Sequence, residues 1–495
     1  MFSKKSNAIL NFFLFFAITA WPFLNFYASK TNFQLIWFKS FFCLFLIFFG
    51  IFFLFFELIR KFFKFSRERM LVLYAVFIMF FFSSRACWEY LIKYTFFGNL
   101  PYRLFFYLSI IFIFSFACYK LSKSVAFQRA VSMFVFIIFS FSLAEFSIIL
   151  FNKENQFFSQ SSQSIIPLPS FVFKDKPNIY FLLVDAYTRA DILKSNTNFD
   201  NKDFIEFLKA KGFIVADKSY SNYSVTRQSL SATFKMDYIQ KNDVNQNDVL
   251  SPDKEVFRIL RSNDYKILLL PGYYSFLSGR NIADITISYG NLINLLTHNI
   301  QFLRNNILYI FEGLIRPFLF FDINHVKEIF SQNVVGSKFV FMHYLTLHDA
   351  VYPKNCKIES KLIFRSISLL PYHHHLSCMN SFVKESINEI MKNDPNSIII
   401  IQGDHGPMEW RPEGESPTNF KNFENMFSIL SAVYIPGLDK KSEIAKYLSN
   451  SPTPVNNFRT IFSYLAKSPV KLLPHRHFGY EYNELTGVGS QNSDR

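Results

Sequence analysis

Five long apolar stretches crowd into the first third of this 495-residue chain, at roughly residues 8–28, 37–57, 69–84, 104–122 and 130–151. Most approach the ~20 residues that an α-helix needs to span the hydrocarbon of a bilayer. They are too long and too numerous for a cleaved signal peptide. The chain is therefore expected to open with a transmembrane domain of about five helices, residues 1–151. The third stretch is the shortest, bounded by Arg69 and Arg85, and also reads as an interfacial or re-entrant segment.

Loop charge sets the orientation, because Lys and Arg accumulate on the cytoplasmic side of a membrane. Lys4 and Lys5 precede the first stretch, Arg60, Lys61, Lys64, Arg67 and Arg69 fill the second loop, and Lys120, Lys123 and Arg129 fill the fourth. The alternate loops are poorer, with Lys30 in one and Arg85, Lys93 and Arg103 around the other. An inside N-terminus and an odd number of crossings place everything after residue 152 outside the cytoplasm. The formal charge of +15 has the same origin. Its cations gather at the ends of apolar runs instead of along a polar stripe interleaved with aromatics, so nucleic acid is not an expected partner.

Residues 152–176 are polar, with Gln156, Ser159, Gln160, Ser161, Ser162, Gln163 and Ser164, and are punctuated by Pro167 and Pro169. Such a stretch is expected of a linker. Beyond it, short apolar runs recur at 178–185, 266–272, 338–345, 397–404 and 427–437, separated by amphipathic segments such as 202–212 and 379–393. Apolar strands alternating with helical patterns predict an α/β domain over 177–495, with a largely parallel central sheet covered by helices. Ligands of such sheets bind beyond the carboxyl ends of the strands. Two of the runs end on acids, Asp185 and Asp404.

A lone acid at a strand end reads equally as a helix cap or turn residue. The run Gly403-Asp404-His405-Gly406-Pro407 says more, because a carboxylate and an imidazole stand side by side in a turn framed by glycine and proline. That pair suits Zn²⁺ or Mn²⁺, and the glycines are expected to let the backbone approach a ligand closely. All 10 histidines stand at His298 or later, which puts metal and proton chemistry in the C-terminal part.

The order of Asp185 in LLVDAYTRAD, a hydroxyl in SNYSVTRQSLSATF, then HYLTLHD and then GDHGP resembles the alkaline phosphatase superfamily. Within it the chain is similar to the membrane-anchored sulfatase-like transferases, the branch of lipoteichoic acid synthases and phosphoethanolamine transferases. The likeness covers about 177–466, ending in SPTPVNNFRTIF. It implies that Asp185, Thr226, Asp404 and His405 hold one divalent metal, Zn or Mn, and that Thr226 is the nucleophile. Ser224 and Ser229 are rivals for that role; Thr226 is preferred because Ser229 then falls three residues later, as a hydroxyl does in relatives. His348 matches the histidine that contacts the phosphate or protonates the leaving oxygen. Arg227, Arg189 and His343 are substrate-binding candidates, with surface charge for the arginines and a structural role for His343 as the competing readings.

The implied activity is transfer of a phosphoryl-linked head group, of phosphoethanolamine or phosphoglycerol type, from a phospholipid donor to an envelope glycan or lipid acceptor. The implied location is the bacterial inner membrane, with the catalytic domain on the periplasmic or extracellular side. Hydrolysis of phosphate or sulfate esters without transfer is one alternative, and an inactive scaffold for envelope assembly is another. Sulfate-ester hydrolysis is disfavoured, because Thr226-Arg227-Gln228-Ser229-Leu230 lacks the Cys/Ser-x-Pro/Ala-x-Arg setting of an oxidisable nucleophile. Ala186, standing where sulfatases carry a second Asp, favours a single metal.

Four further features carry expectations. Cys356 and Cys378 lie in the polar part and, if that part is exported, are candidates for a disulfide whose geometry the sequence does not establish. Residues 307–321, interrupted by Glu312, Arg316 and Pro317, read as a helix lying on the membrane or as an ordinary buried helix. His373-His374-His375 reads as a polar helix face. His475, Arg476 and His477 read as exposed.

Overall fold

The computed structural model describes residues 4–28, 35–94, 100–159, 171–240, 249–270, 282–287, 323–344, 356, 371–412, 417, 419–479 and 483–485. The chain divides into two compact units, one with the N-terminal helices and one with the sheet. His348, residues 307–321 and residues 160–170 of the linker lie outside the described residues.

The first unit consists of α1 (Lys4–Ala28), α2 (Leu35–Phe62), α3 (Arg67–Tyr94), α4 (Leu100–Leu121) and α5 (Val125–Ser159). Each apolar stretch falls in one helix, but the third is not short: α3 runs unbroken through Arg85 for 28 residues. α1 packs on α2, α3 and α5, and α3 on α4. The interior is aromatic, with Phe15, Phe52, Phe56 and Tyr74 buried together. The Tyr74 hydroxyl meets Thr19 Oγ1 at 2.5 Å, so two polar groups in apolar surroundings satisfy each other. At one end Arg69 donates from Nε to Ser122 Oγ at 3.1 Å and lies over the rings of Phe65 and Tyr119, joining the two cation-rich loops. Large apolar side chains face outward, among them Leu54, Leu58, Phe112, Phe134 and Phe141. Among the described residues Val125–Glu145 is long and apolar enough to cross a membrane, and Ile9–Leu24 and Phe112–Leu121 are shorter apolar helical stretches.

The second unit is built on a 7-stranded sheet of order β2-β7-β6-β1-β5-β3-β4. Its strands are β1 (Ile179–Val184), β2 (Ile214–Val215), β3 (Lys266–Leu270), β4 (Ile285–Thr286), β5 (Lys338–Tyr344), β6 (Ile398–Gln402) and β7 (Ser431–Tyr434). β6, β1, β5, β3 and β4 run parallel, whereas β7 is antiparallel to β6 and to β2. The helices are α6 (Ala190–Thr197), α7 (Lys202–Ala210), α8 (Thr226–Lys235), α9 (Glu255–Ser262), α10 (Ile323–Ser331), α11 (Tyr372–Asn393), α12 (Phe420–Phe427), α13 (Glu443–Ser449) and α14 (Pro454–Ala466).

Both faces of the sheet are covered, which is why β1 (IYFLLV) and most of β6 (IIIIQ) read as continuous apolar runs and not as alternation. On one face Phe181, Leu183, Phe339, Phe341 and Ile400 pack against Leu230 and Phe234 of α8 and Phe458 of α14. On the other, Tyr180, Leu182, Val184 and Ile401 pack against Leu193, Phe204 and the α11 side chains Leu376 and Ile387.

Two expectations about polar surface are corrected. The histidine tract does not form one polar face: His375 is buried, the His373 ring stacks on Phe199 at 5.6 Å, and His374 Nε2 lies 3.8 Å from Cys378 Sγ. Neighbouring residues on a helix point about 100° apart, so three in a row cannot share a face. His477 is likewise not exposed; it packs against Phe423 at 5.0 Å and Phe427 at 5.7 Å, and its Nδ1 meets Ser221 O at 2.8 Å. Burial pushes this imidazole down to about 4. Arg476, half-buried, is paired with Glu484, Nε to Oε1 at 2.7 Å. Cys356 and Cys378 form a disulfide, with Cα atoms 5.2 Å apart.

Candidate metal centre

The centre grows from the carboxyl ends of three neighbouring parallel strands. In the register of the sheet Leu183 of β1 lies beside His343 of β5 and Gln402 of β6. Side chains alternate along a strand, so Asp185 continues the face of Phe181 and Leu183, and His343 that of Phe339 and Phe341. This is the face that α8 covers, and Thr226 is the first residue of α8. Gly403 alone separates the end of β6 from Asp404 and His405, which follow in the bend after it.

The side chains meet at short range. Thr226 Oγ1 lies 3.3 Å from Asp185 Oδ2 and 3.1 Å from His405 Nε2. His405 Nε2 is 3.6 Å from Asp185 Oδ1 and 3.5 Å from Asp404 Oδ2. His343 Nε2 reaches Asp185 Oδ2 at 3.1 Å. All five groups are buried, Thr226 most exposed at 7% and both carboxylates at 0%.

The backbone around the cluster is tightly constrained. Ala186 adopts φ 57°, a left-handed conformation costing a residue with a Cβ about 1–2 kcal/mol. In return its N–H donates to Asp404 Oδ1 at 2.9 Å, which also accepts from the N–H of His405 at 3.0 Å. The two glycines of the motif serve a close backbone fit: a Cβ on Gly403 would stand 2.4 Å from Tyr187 O, and one on Gly406 would stand 1.9 Å from Asn425 O. The Tyr187 hydroxyl is held in a closed ring, donating to Asn380 Oδ1 at 2.5 Å and accepting from Asn201 Nδ2 at 2.9 Å, while Asn380 Nδ2 donates to Asn201 Oδ1 at 2.7 Å. That ring ties the turn after β1 to α7 and α11.

Electrostatics make the cluster costly without a cation. Burial, and then the neighbouring Asp185, raise the Asp404 carboxyl above its ordinary range, while His405 opposes them. Burial lowers the His405 imidazole, and Arg411 adds to this against the pull of Asp404. The neutral ring donates from Nδ1 to Gly406 O at 2.8 Å, which leaves Nε2 as an acceptor facing the carboxylates. Asp404 Oδ2 is buried with no hydrogen-bond partner among the described residues. Asp185, Asp404 and His405 each bring a ligand atom within 4.8 Å of the others. Two carboxylates, one imidazole and an adjacent hydroxyl suit a Zn²⁺- or Mn²⁺-sized ion, which would neutralise the like charges.

The structure thus brings together Asp185, Thr226, Asp404 and His405, and adds His343, whose side chain bonds the first acid. Ser224 and Ser229 make no hydrogen bond to them; their hydroxyls are buried with no hydrogen-bond partner among the described residues. Arg189 is spoken for: Nε and Nη2 grip Asp191 at 2.7 and 2.9 Å, and Nη1 donates to Ser219 O at 3.3 Å. Its planar fork is filled by a carboxylate two residues away, which corrects its expected role as a phosphate clamp. Arg227 is half-buried in the first turn of α8. Arg411 was missed; its only sequence signal is its place seven residues past Asp404. Its Nη2 donates to Ser224 O.

No family model matches the chain, and no curated protein matches it. Solved structures do. The C-terminal periplasmic domain of EcEptC from Escherichia coli is 12% identical, with a TM-score of 0.41 over 61% of this chain and 86% of that one. The integral membrane protein lipooligosaccharide phosphoethanolamine transferase A (EptA) from Neisseria meningitidis is 14% identical, with a TM-score of 0.40 over 74% of this chain and 70% of that one. A protein in the alkaline phosphatase superfamily from Vibrio parahaemolyticus is 12% identical, with a TM-score of 0.39 over 62% of this chain and 74% of that one.

Proposed function

We propose that this chain is a membrane-anchored, metal-dependent transferase that moves a phosphoryl-linked head group from a phospholipid to an envelope glycan or lipid through a covalent intermediate on Thr226. The observation that carries this is the position of Thr226 Oγ1, 3.3 Å from Asp185 and 3.1 Å from His405 in a buried cluster built for a cation. Asp185, Asp404, His405 and Thr226 would hold the ion. When bound, the metal lowers the pKa of the threonine hydroxyl and polarises the phosphoryl group.

The chain's own residues do the rest. Asp185 is oriented by His343, so that its carboxylate faces Thr226. Asp404 is fixed by two backbone N–H groups. Thr226 attacks phosphorus and the lipid alcohol leaves, with His348 as its proton donor; an acceptor hydroxyl then takes the phosphoryl group and frees Thr226. Five N-terminal helices would anchor the chain in the bacterial inner membrane, their outward Leu and Phe side chains meeting lipid, with the catalytic domain on the far side from the cytoplasm. Anchoring confines the site near membrane-borne donors.

Intact mass and metal content of the full chain in lipid nanodiscs, compared with Thr226→Ala, test the reading. The expected result is about one metal per chain and a phosphoryl-linked adduct that the substitution removes, its mass identifying the head group. A chain that binds no metal, carries no adduct and turns over no lipid would be a scaffold instead.

A further inference from the structure

Arg411 follows the 3₁₀ turn Met408–Trp410 and lies half-buried beside two parts of the centre at once. Its Nη2 donates to Ser224 O, two residues before Thr226, which fixes the guanidinium to the loop that delivers the proposed nucleophile. Its charge also bears on His405. A guanidinium beside an Asp-His pair proposed to hold a metal is an odd arrangement if the site binds only a cation, since like charges repel.

The surroundings add positive potential. α8 begins at Thr226, and its N-cap, Val225, offers no side-chain acceptor to the first-turn N–H groups. The Ser224 hydroxyl, at 0% exposure, makes no hydrogen bond among the described residues and is an additional donor. Metal, guanidinium and helix N-terminus together call for an anion, and the planar fork of Arg matches phosphoryl oxygens where the point charge of Lys does not.

We infer that Arg411 grips the non-bridging oxygens of the phosphoryl group during its transfer to Thr226, with the Ser224 hydroxyl as a neutral partner. This rests on the transferase reading above. In the step, the Thr226 Oγ–P bond forms as the P–O bond to the lipid alcohol breaks. The threonine proton is lost to solvent and the alcohol regains one. Arg411 moves no proton; it balances the charge spread over the non-bridging oxygens, a role for which one arginine is worth ~10³–10⁵ in rate.

The test uses the metal-loaded full chain in nanodiscs, as wild type, Arg411→Ala and Arg411→Lys. Lysine keeps the bond to Ser224 O and loses the fork. Three quantities are read: the rate of adduct formation, split into kcat and KM; the affinity for inorganic orthovanadate as a phosphoryl mimic; and metal content with melting temperature. The expectation is a kcat loss of about 10³-fold for Ala and at least about 10²-fold for Lys, with KM within a few-fold, weakened orthovanadate binding and unchanged metal content. An active wild type whose Lys variant matches it in kcat and orthovanadate affinity overturns the role of Arg411 alone. A rate loss that merely tracks metal loss or a lowered melting temperature overturns it too. A wild type that forms no adduct and turns over no lipid overturns the transferase reading, and this inference with it.

Discussion

The helical unit and the sheet unit are both rich in phenylalanine, yet they use it in opposite ways. In the helical unit Leu54, Phe112, Phe134 and Phe141 point outward, and any of many similar side chains would serve the same purpose. In the sheet unit Phe181 is fully buried and touches rings from three elements, Phe234 at 6.0 Å, Phe341 at 5.5 Å and Phe458 at 5.4 Å. One unit is specified by bulk composition, the other by register and individual contacts. Substitutions are therefore expected to be cheap in the first and expensive in the second.

The sharpest contrast lies at the centre. Asp404→Asn should lower turnover by at least about 10³-fold and remove the metal, yet raise the melting temperature of the metal-free protein, because it relieves a buried pair of like charges. A metal-free melting temperature that falls would show that the carboxylates are not in conflict. Next in size, Gly406→Ala should cost upward of about 3 kcal/mol, since its Cβ would stand 1.9 Å from a backbone oxygen. Phe181→Ala should cost about 3–5 kcal/mol by denaturant titration of the sheet unit's unfolding. Acid should then destabilise the sheet unit through His477. Its folded value of about 4 lies below the ordinary 6.5, so the unfolded chain binds the proton first. Stability from this group is complete above pH 6.5 and is lost as pH falls toward 4, by at most about 3 kcal/mol. His477→Gln should flatten that slope, and a slope that persists unchanged assigns it to other groups. At the bottom of the scale, Leu54→Ala, at a side chain 65% exposed, should change stability in lipid by under about 0.5 kcal/mol. A large loss there would mean that the outward face of α2 has a specific partner, and the contrast between the units would fail.

The same contrast explains what the sequence showed and what it hid. The five helices were visible as runs of apolar residues, although α3 extends past Arg85 because a lone cation is no helix breaker. The central strands were visible because sheets covered on both faces leave unbroken Val, Ile, Leu and Phe. Asp185, Thr226, Asp404 and His405 were visible as motifs, but their convergence depends on the β6-β1-β5 strand order, which no local pattern encodes. The glycines of the Asp-His turn were visible, but the neighbours that require them, Tyr187 O and Asn425 O, were not, since they belong to distant segments. Arg411 was missed and the half-buried His477 was read as exposed, because their surroundings come from where the chain returns and not from adjacent residues.

The placement of β1 between β5 and β6 has a consequence for how the protein is made. Asp185 emerges from the ribosome long before its partner: Ala186 and the Asp404 carboxylate it binds are separated by 218 positions in the chain. The first central strand must wait while about 150 further residues are synthesised before β5 can pair one of its edges, and more than two hundred before β6 can pair the other. Long-range parallel pairing of this kind is slow and leaves sticky intermediates. A nascent chain stalled anywhere before residue 398 cannot assemble the cluster, so completion of the proposed metal site has to be among the last events in this protein's folding.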